Sequence, residues 1–280
     1  MTASRILIMM LASVPICSVD LNSQTAVSTA GHSISVNGFE MYYETHGTGE
    51  PLVLLHGFFT SSDTWAQVIP DVKEEYRVIV PDLRGHGRST NPSKEFTHRQ
   101  SALDVYALLD ELGVRSFMAM GISSGGMTLL HMATSQPERV EAMVLIGATS
   151  YYPEEGRKTQ RDWTSENLDE EGWARMHRRH HYGDEQIRML YSQFRGFADG
   201  YDDMNFTKPF LSTITARTLI VHGDRDIFFP IAIATEIYEA IPWSYLWVVP
   251  NGTHIPIFGD TLPFFVKTTR EFLRAEWEKE

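Results

Sequence analysis

Five short runs in this chain are apolar almost from end to end, and each is followed by a longer stretch with helical character. They are PLVLLHG from residue 51, RVIVPDL from 77, SFMAMGI from 116, VEAMVLIGA from 140 and RTLIVHGD from 217. A strand that is apolar on successive residues is covered on both faces. SYLWVVP, from residue 244, reads as a last strand. SISVNGFEMYYETHG, from residue 33, reads as a hairpin turning at Asn37-Gly38. THRQSALDVYALLDELG predicts an amphipathic helix with Leu103, Ala107, Leu108 and Leu112 on one face, ended by Gly113. Further helices are expected from Ser124 to about Gln136, over FFPIAIATEIYEAI, and over the closing DTLPFFVKTTREFLRAEWEKE. Strands alternating with helices imply an α/β fold, a mainly parallel central sheet flanked by helices.

The alternation breaks between residues 150 and 208. This stretch is charged, with helical segments and scattered aromatics but no apolar strand. It reads as a helical cap inserted after the sixth strand, over the sheet edge where ligands bind in open α/β folds. The core is then 31–149 and 209–280, and the 280 residues suffice for a full core with an insertion.

At the N-terminus, Arg5 precedes the apolar run ILIMMLASVPIC. That length suits the core of a signal peptide and falls short of the roughly 20 residues of a transmembrane helix. Ser28-Thr29-Ala30 offers small residues for cleavage. Residues 1–30 are therefore expected to be a signal peptide, the protein exported to periplasm or medium, and no stable membrane span present. Ile16 before Cys17, the single cysteine, argues against a lipid anchor. Cleavage after Ala30 would leave no thiol, which suits an oxidising compartment. A formal charge of −12 argues against nucleic acid as a partner. The sequence does not set an oligomeric state.

MGISSGGM, residues 120–127, lies between an apolar strand and a helix. That context is what a nucleophile elbow requires. Gly121 and Gly125 flank Ser123 two residues away on each side, so the turn can close and present Ser123 Oγ. Ser124 starts the helix, and its backbone N–H is among the unpaired donors of a helix N-terminus, suited to an oxyanion. A serine nucleophile needs a base, and the base an orienting acid. VHGDRDIFFP follows one strand and offers Asp224 and Asp226; VVPNGTHIPIFGD follows the last strand and offers His254. All stand just past strand carboxyl ends, in the chain order Ser, Asp, His.

On these residues the chain resembles the α/β-hydrolase family from about residue 34 to 275, the insertion matching least. HGFFTSSDTW resembles the His-Gly oxyanion segment, PDLRGHGRS the loop after the next strand, GISSGG the elbow, HGDRDIFFP the acid loop and NGTHIPIF the histidine loop. The resemblance places the acid at Asp226, leaving Asp224 as a turn residue. It also implies a second oxyanion N–H at Phe58, a structural role for His56, and no cofactor or metal. Thr253 stands where relatives often carry glycine.

Phe59, Met127, Trp163, Trp173, Phe228 and Ile255 are candidates for the substrate pocket, although any single one of Trp163, Trp173 and Phe194 is expected rather to hold the insertion to the core. MHRRHHYG spaces His177, His180 and His181 as on a metal-binding helix face, but the neighbouring arginines favour a solvated basic helix face. His86 is expected to bond within its loop and His222 to support the acid loop.

The reading is a serine hydrolase acting on a small-molecule carboxylic ester. A serine at 123 argues against the aspartate chemistry of epoxide hydrolases and haloalkane dehalogenases. Lactonase, carbon–carbon hydrolase and cofactor-free perhydrolase activity on the same triad stay open, as does a small-molecule receptor on a hydrolase scaffold.

Overall fold

The computed structural model describes residues 31–278; the expected signal peptide and Cys17 lie outside the described residues. Eight strands form one sheet: β1 (His32–Val36), β2 (Phe39–His46), β3 (Glu50–Leu55), β4 (Tyr76–Pro81), β5 (Phe117–Ile122), β6 (Val140–Ile146), β7 (Arg217–Gly223) and β8 (Ser244–Val249). Their spatial order is β1-β2-β4-β3-β5-β6-β7-β8. β1 and β2 are antiparallel additions to one edge, and every pairing from β4 to β8 is parallel. The hairpin turns where expected: Asn37 and Gly38 both take positive φ, 45° and 79°, as a two-residue turn matched to strand twist demands.

The helices are α1 (Ile69–Val72), α2 (His98–Glu111), α3 (Ser124–Ser135), α4 (Glu154–Asp162), α5 (Glu170–Arg179), α6 (Gly183–Gly196), α7 (Lys208–Leu211), α8 (Ile231–Ala240) and α9 (Leu262–Leu273). Two apolar clusters sandwich the sheet. One gathers residues of α2, α3, α8 and the segment between β6 and β7. The other gathers α1 and α9 with Trp65. Among the described residues no helix is long and apolar enough to cross a membrane.

Of the expected apolar face of α2, Leu108 is buried and Ala107 and Leu112 pack against the larger cluster, but one position departs. Leu103 points to solvent, 49% exposed, while Ala102, Val105, Leu108 and Leu109 are buried. Asp104 explains the rotation. Its carboxylate faces inward, taking Arg84 Nε at 2.7 Å and Asn37 Nδ2 at 2.9 Å. Pairing Asp104 with Arg84 turns Leu103 out.

The segment between β6 and β7 carries α4, α5, α6 and α7, plus a single bridge between Tyr151 and Asn205. Ile187 and Leu190 of α6 and Met176 of α5 are buried in the larger cluster. The charged residues that dominate the sequence here lie mostly on the outer surface.

Candidate active site

β5 runs directly into α3 through Ser123, whose φ of 49° and ψ of −112° are strained for a residue with a side chain. Its N–H donates to the Ile146 carbonyl at 2.8 Å, and the Met127 N–H donates to its carbonyl at 2.9 Å. The flanking glycines are required by contact. A Cβ on Gly121 would stand 2.5 Å from the Gly125 carbonyl carbon, and one on Gly125 would strike the Leu55 carbonyl. The elbow therefore closes only with hydrogen at both positions.

The structure brings the three sequence-predicted groups together. His254 Nε2 lies 2.9 Å from Ser123 Oγ, and His254 Nδ1 lies 2.7 Å from Asp226 Oδ2. A carboxylate only accepts, so Nδ1–H donates to Asp226 and Nε2 is left to accept from the serine hydroxyl. Asp226 Oδ1 also accepts from the N–H groups of Phe228 and Phe229, at 2.8 and 3.2 Å. Burial raises the Asp226 carboxyl, but the His254 contact and these N–H bonds outweigh it and hold it below its ordinary range. His222 donates from Nε2 to the Phe229 carbonyl at 2.9 Å, bracing this loop as expected. Asp224 stays outside: its carboxylate lies 3.9 Å from Arg225 Nε and its side chain is 34% exposed.

The predicted oxyanion segment packs against the nucleophile. A Cβ on Gly57 would lie 3.5 Å from Ser123 Cβ. Phe58 follows, and Phe59 takes a φ of 62°, bending the chain sharply beside the site. His56 is buried; its Nδ1–H donates to the Gly57 carbonyl at 2.8 Å while Nε2 accepts from the Leu83 N–H at 2.9 Å. His86 is also buried and bonds the Arg84 carbonyl at 3.0 Å. Burial lowers both imidazoles.

Aromatic rings wall the site. Phe228 stands 4.8 Å from His254, and Trp163 stands 5.4 Å from Phe228. Phe194 and Phe59 complete the contact, 5.4 and 5.8 Å from Trp163. Behind Phe59 and Trp163 a cavity of about 620 Å³ opens among α4, α5 and α6. Met127 is buried in the first turn of α3. Trp173 lies elsewhere, its ring tilted against His177 and under the Arg188 guanidinium. Ile255 packs into the opposite cluster with Trp65 and Phe265.

The histidine run needs correcting. His177 is partly exposed and pairs with Asp184 at 2.9 Å, but His180 is only 1% exposed. Its Nδ1 accepts from the Gly87 N–H at 3.0 Å and its Nε2 faces the Phe59 carbonyl at 3.2 Å. It latches α5 to the two loops beside the elbow, a role helical periodicity could not show because both partners lie about a hundred residues away. Two further residues at the site went unseen, His98 and Asp203. The one local hint was a histidine opening α2, since a helix N-terminus disfavours cations.

Comparisons with known proteins find the same fold. Residues 50–186 match the family model described as alpha/beta hydrolase fold. A soluble epoxide hydrolase of Corynebacterium sp. (strain C12) is 39% identical over 115 residues, 41% of this chain and only 40% of that protein's length. Serine hydrolase BPHL of Mus musculus is 28% identical over 249 residues, 82% of this chain and 81% of that protein. Among solved structures, a meta-cleavage product hydrolase (CumD) superposes with a TM-score of 0.74 at 24% identity, covering 88% of this chain and 98% of the other. With its sheet order, its elbow and its Ser–His–Asp arrangement, the chain has the α/β-hydrolase fold.

Proposed function

We propose that the protein hydrolyses carboxylic esters through an acyl-enzyme. Ser123 Oγ attacks the ester carbonyl while His254 Nε2 takes its proton. Asp226 holds the imidazole tautomer and stabilises the imidazolium. The tetrahedral oxyanion is bound by the backbone N–H groups of Phe58 and Ser124. Collapse expels the alcohol, which leaves with the proton from His254. Water then attacks the acyl carbonyl, giving a proton to His254, and the acid departs as His254 passes that proton to Ser123 Oγ. Residues 150–208 form a cap that keeps water out and selects substrates through Trp163 and Phe194.

The observation that carries this reading is the continuous path Asp226 Oδ2, His254 Nδ1, His254 Nε2, Ser123 Oγ, with gaps of 2.7 and 2.9 Å. A serine at the elbow supports acyl transfer over the chemistry named for the epoxide hydrolase relative. Lactones and carbon–carbon bonds are cleaved with the same three groups, so a substrate screen should include them beside p-nitrophenyl esters of graded length.

The test is turnover of those esters by the wild type and by Ser123→Ala, with fluorophosphonate labelling and peptide mapping. Multiple turnovers, lost in the variant, with label on Ser123, are expected. Label on Ser124, undiminished turnover in Ser123→Ala, or a single slow turnover with tight retention by the wild type would overturn the reading.

A further inference from the structure

The hydroxyl next to Ser123 sits in surroundings that repeat the pattern of the first. Ser124 Oγ lies 3.1 Å from Nε2 of His98, and Nδ1 of His98 lies 2.6 Å from Oδ2 of Asp203. His98 is fully buried, Ser124 is 2% exposed, and the Asp203 side chain is 16% exposed. The carboxylate accepts from Nδ1–H, which leaves Nε2 to accept from the Ser124 hydroxyl. Two carboxylate–imidazole pairs therefore meet adjacent serines. One comes from the loops after β7 and β8, the other from the start of α2 and the segment that returns from α6 toward β7.

Asp203 is itself held from several sides. It accepts from the backbone N–H groups of His98 and Arg99, at 2.8 and 3.1 Å, two otherwise unpaired donors of the α2 N-terminus. His131 Nε2–H donates to the Asp203 backbone carbonyl at 2.8 Å. Burial pushes the Asp203 carboxyl up, but its contact with His98 and the N–H bonds from His98 and Arg99 outweigh it and leave it well below the carboxylate range. The rings of Phe197 and Phe96, 5.1 and 5.4 Å away, close over the His98 imidazole.

The Ser124 side chain thus hangs on His98, and its carbonyl accepts from Thr128 Oγ1 at 2.8 Å. These bonds hold Ser124 by its side chain and its carbonyl, next to the strained turn at Ser123, whose own carbonyl accepts from the Met127 N–H. We propose that His98 is a positioning residue. With Asp203 it anchors the Ser124 hydroxyl so that the Ser124 backbone N–H faces the developing oxyanion, and it ties that donor to the segment leaving the insertion. The proposal rests on the ester-hydrolase reading, in which this N–H is an oxyanion donor. Such a donor acts in the transition state, so displacing it lowers kcat and leaves KM alone.

The test measures kcat, KM and melting temperature with p-nitrophenyl butyrate, and inhibition by an alkyl trifluoromethyl ketone, whose hemiketal oxygen engages the same donors. The variants are His98→Phe, His98→Gln, Ser124→Ala and the double variant His98→Phe with Ser124→Ala. His98→Phe should lower kcat about tenfold at unchanged KM and weaken inhibition by a similar factor. That is less than the roughly 10²–10³-fold loss from removing one donor outright. His98→Gln, whose amide oxygen can take the Ser124 hydroxyl, should recover most of it. The double variant should be no worse than His98→Phe within about twofold, because both changes break one link. Multiplied losses in the double variant, a change in KM instead of kcat, or kcat that merely tracks melting temperature would overturn the proposal. If His98→Phe does not fold, Ser124→Ala carries the test: kcat and inhibition both unchanged would overturn it. Failure of the ester reading is seen separately, as wild-type turnover that survives Ser123→Ala.

Discussion

His254 Nδ1 and Asp226 Oδ2 stand 2.7 Å apart, while the carboxylate of Asp224, two residues earlier in the same loop, faces Arg225 and solvent. Asp226→Asn should therefore cut turnover by about 10⁴-fold, through loss of the tautomer that points Nε2 at Ser123. Asp224→Asn should leave kcat within a few-fold of wild type. Steady-state kinetics of the two variants on one ester check the ranking; the opposite order would make Asp224 the orienting acid.

The elbow glycines give a prediction about stability. In Gly121→Ala the added methyl would stand 2.5 Å from backbone atoms of Gly125 and Gly126, which cannot swing away. The expected loss is on the order of 3 kcal/mol. Gly38→Ala is the contrast: its Cβ meets nothing within 4 Å, and only its φ of +79° is unfavourable. That change should cost about 1 kcal/mol. Denaturant midpoints of both variants settle the comparison, and equal losses would mean that the close approach at the elbow is not what demands glycine there.

These cases also mark what a sequence can reveal. The strands are legible because burial on both faces leaves unbroken apolar runs such as VIV at 78–80 and FMAM at 117–120. The meeting of Ser123, Asp226 and His254 is legible because each follows a parallel strand, and parallel strands end on one edge. The outward turn of Leu103 is not, since it depends on Asp104 finding Arg84 across the fold. Nor are the links from His98 to Asp203 and from His180 to Gly87, which join residues 105 and 93 positions apart. Periodicity reports the face of one element; it carries no information about which buried polar group will meet which.

Acid should loosen the protein through its buried imidazoles. Burial lowers His131 and His180 to about 4. An unfolded histidine titrates near 6.5, so as pH falls from about 6.5 to 4 the unfolded chain takes up protons that these folded sites refuse. Stability is then fully present above about 6.5 and declines toward 4, each group contributing at most about 1.4 kcal/mol per pH unit. His180→Gln should lower stability at neutral pH, by breaking the latch to Gly87 and Phe59, yet flatten the decline. Melting temperatures of both proteins across that range decide it; parallel curves would show that His180 does not carry the dependence.

The last prediction concerns selection of the acyl chain. Trp163 reaches the site through rings, 5.4 Å from Phe228, which is itself 4.8 Å from His254. It also borders the cavity of about 620 Å³ beneath α4, α5 and α6. Removing the indole should join that cavity to the space above Ser123 and admit longer acyl groups. Trp163→Ala is therefore expected to raise the ratio of activity on p-nitrophenyl decanoate to activity on the acetate by on the order of tenfold, the scale on which apolar pockets discriminate chain length. Trp173 offers the control within the same insertion. Its ring sits against His177 and Arg188, so Trp173→Ala should lower melting temperature without moving the ratio. Profiles over acyl lengths from two to twelve carbons, each paired with a melting curve, separate the two effects. If both variants shifted the ratio equally, or if activity on every ester fell in step with stability, the aromatic wall would be a packing element and selection would have to reside in the core, around Phe58 and the Met127 turn of α3.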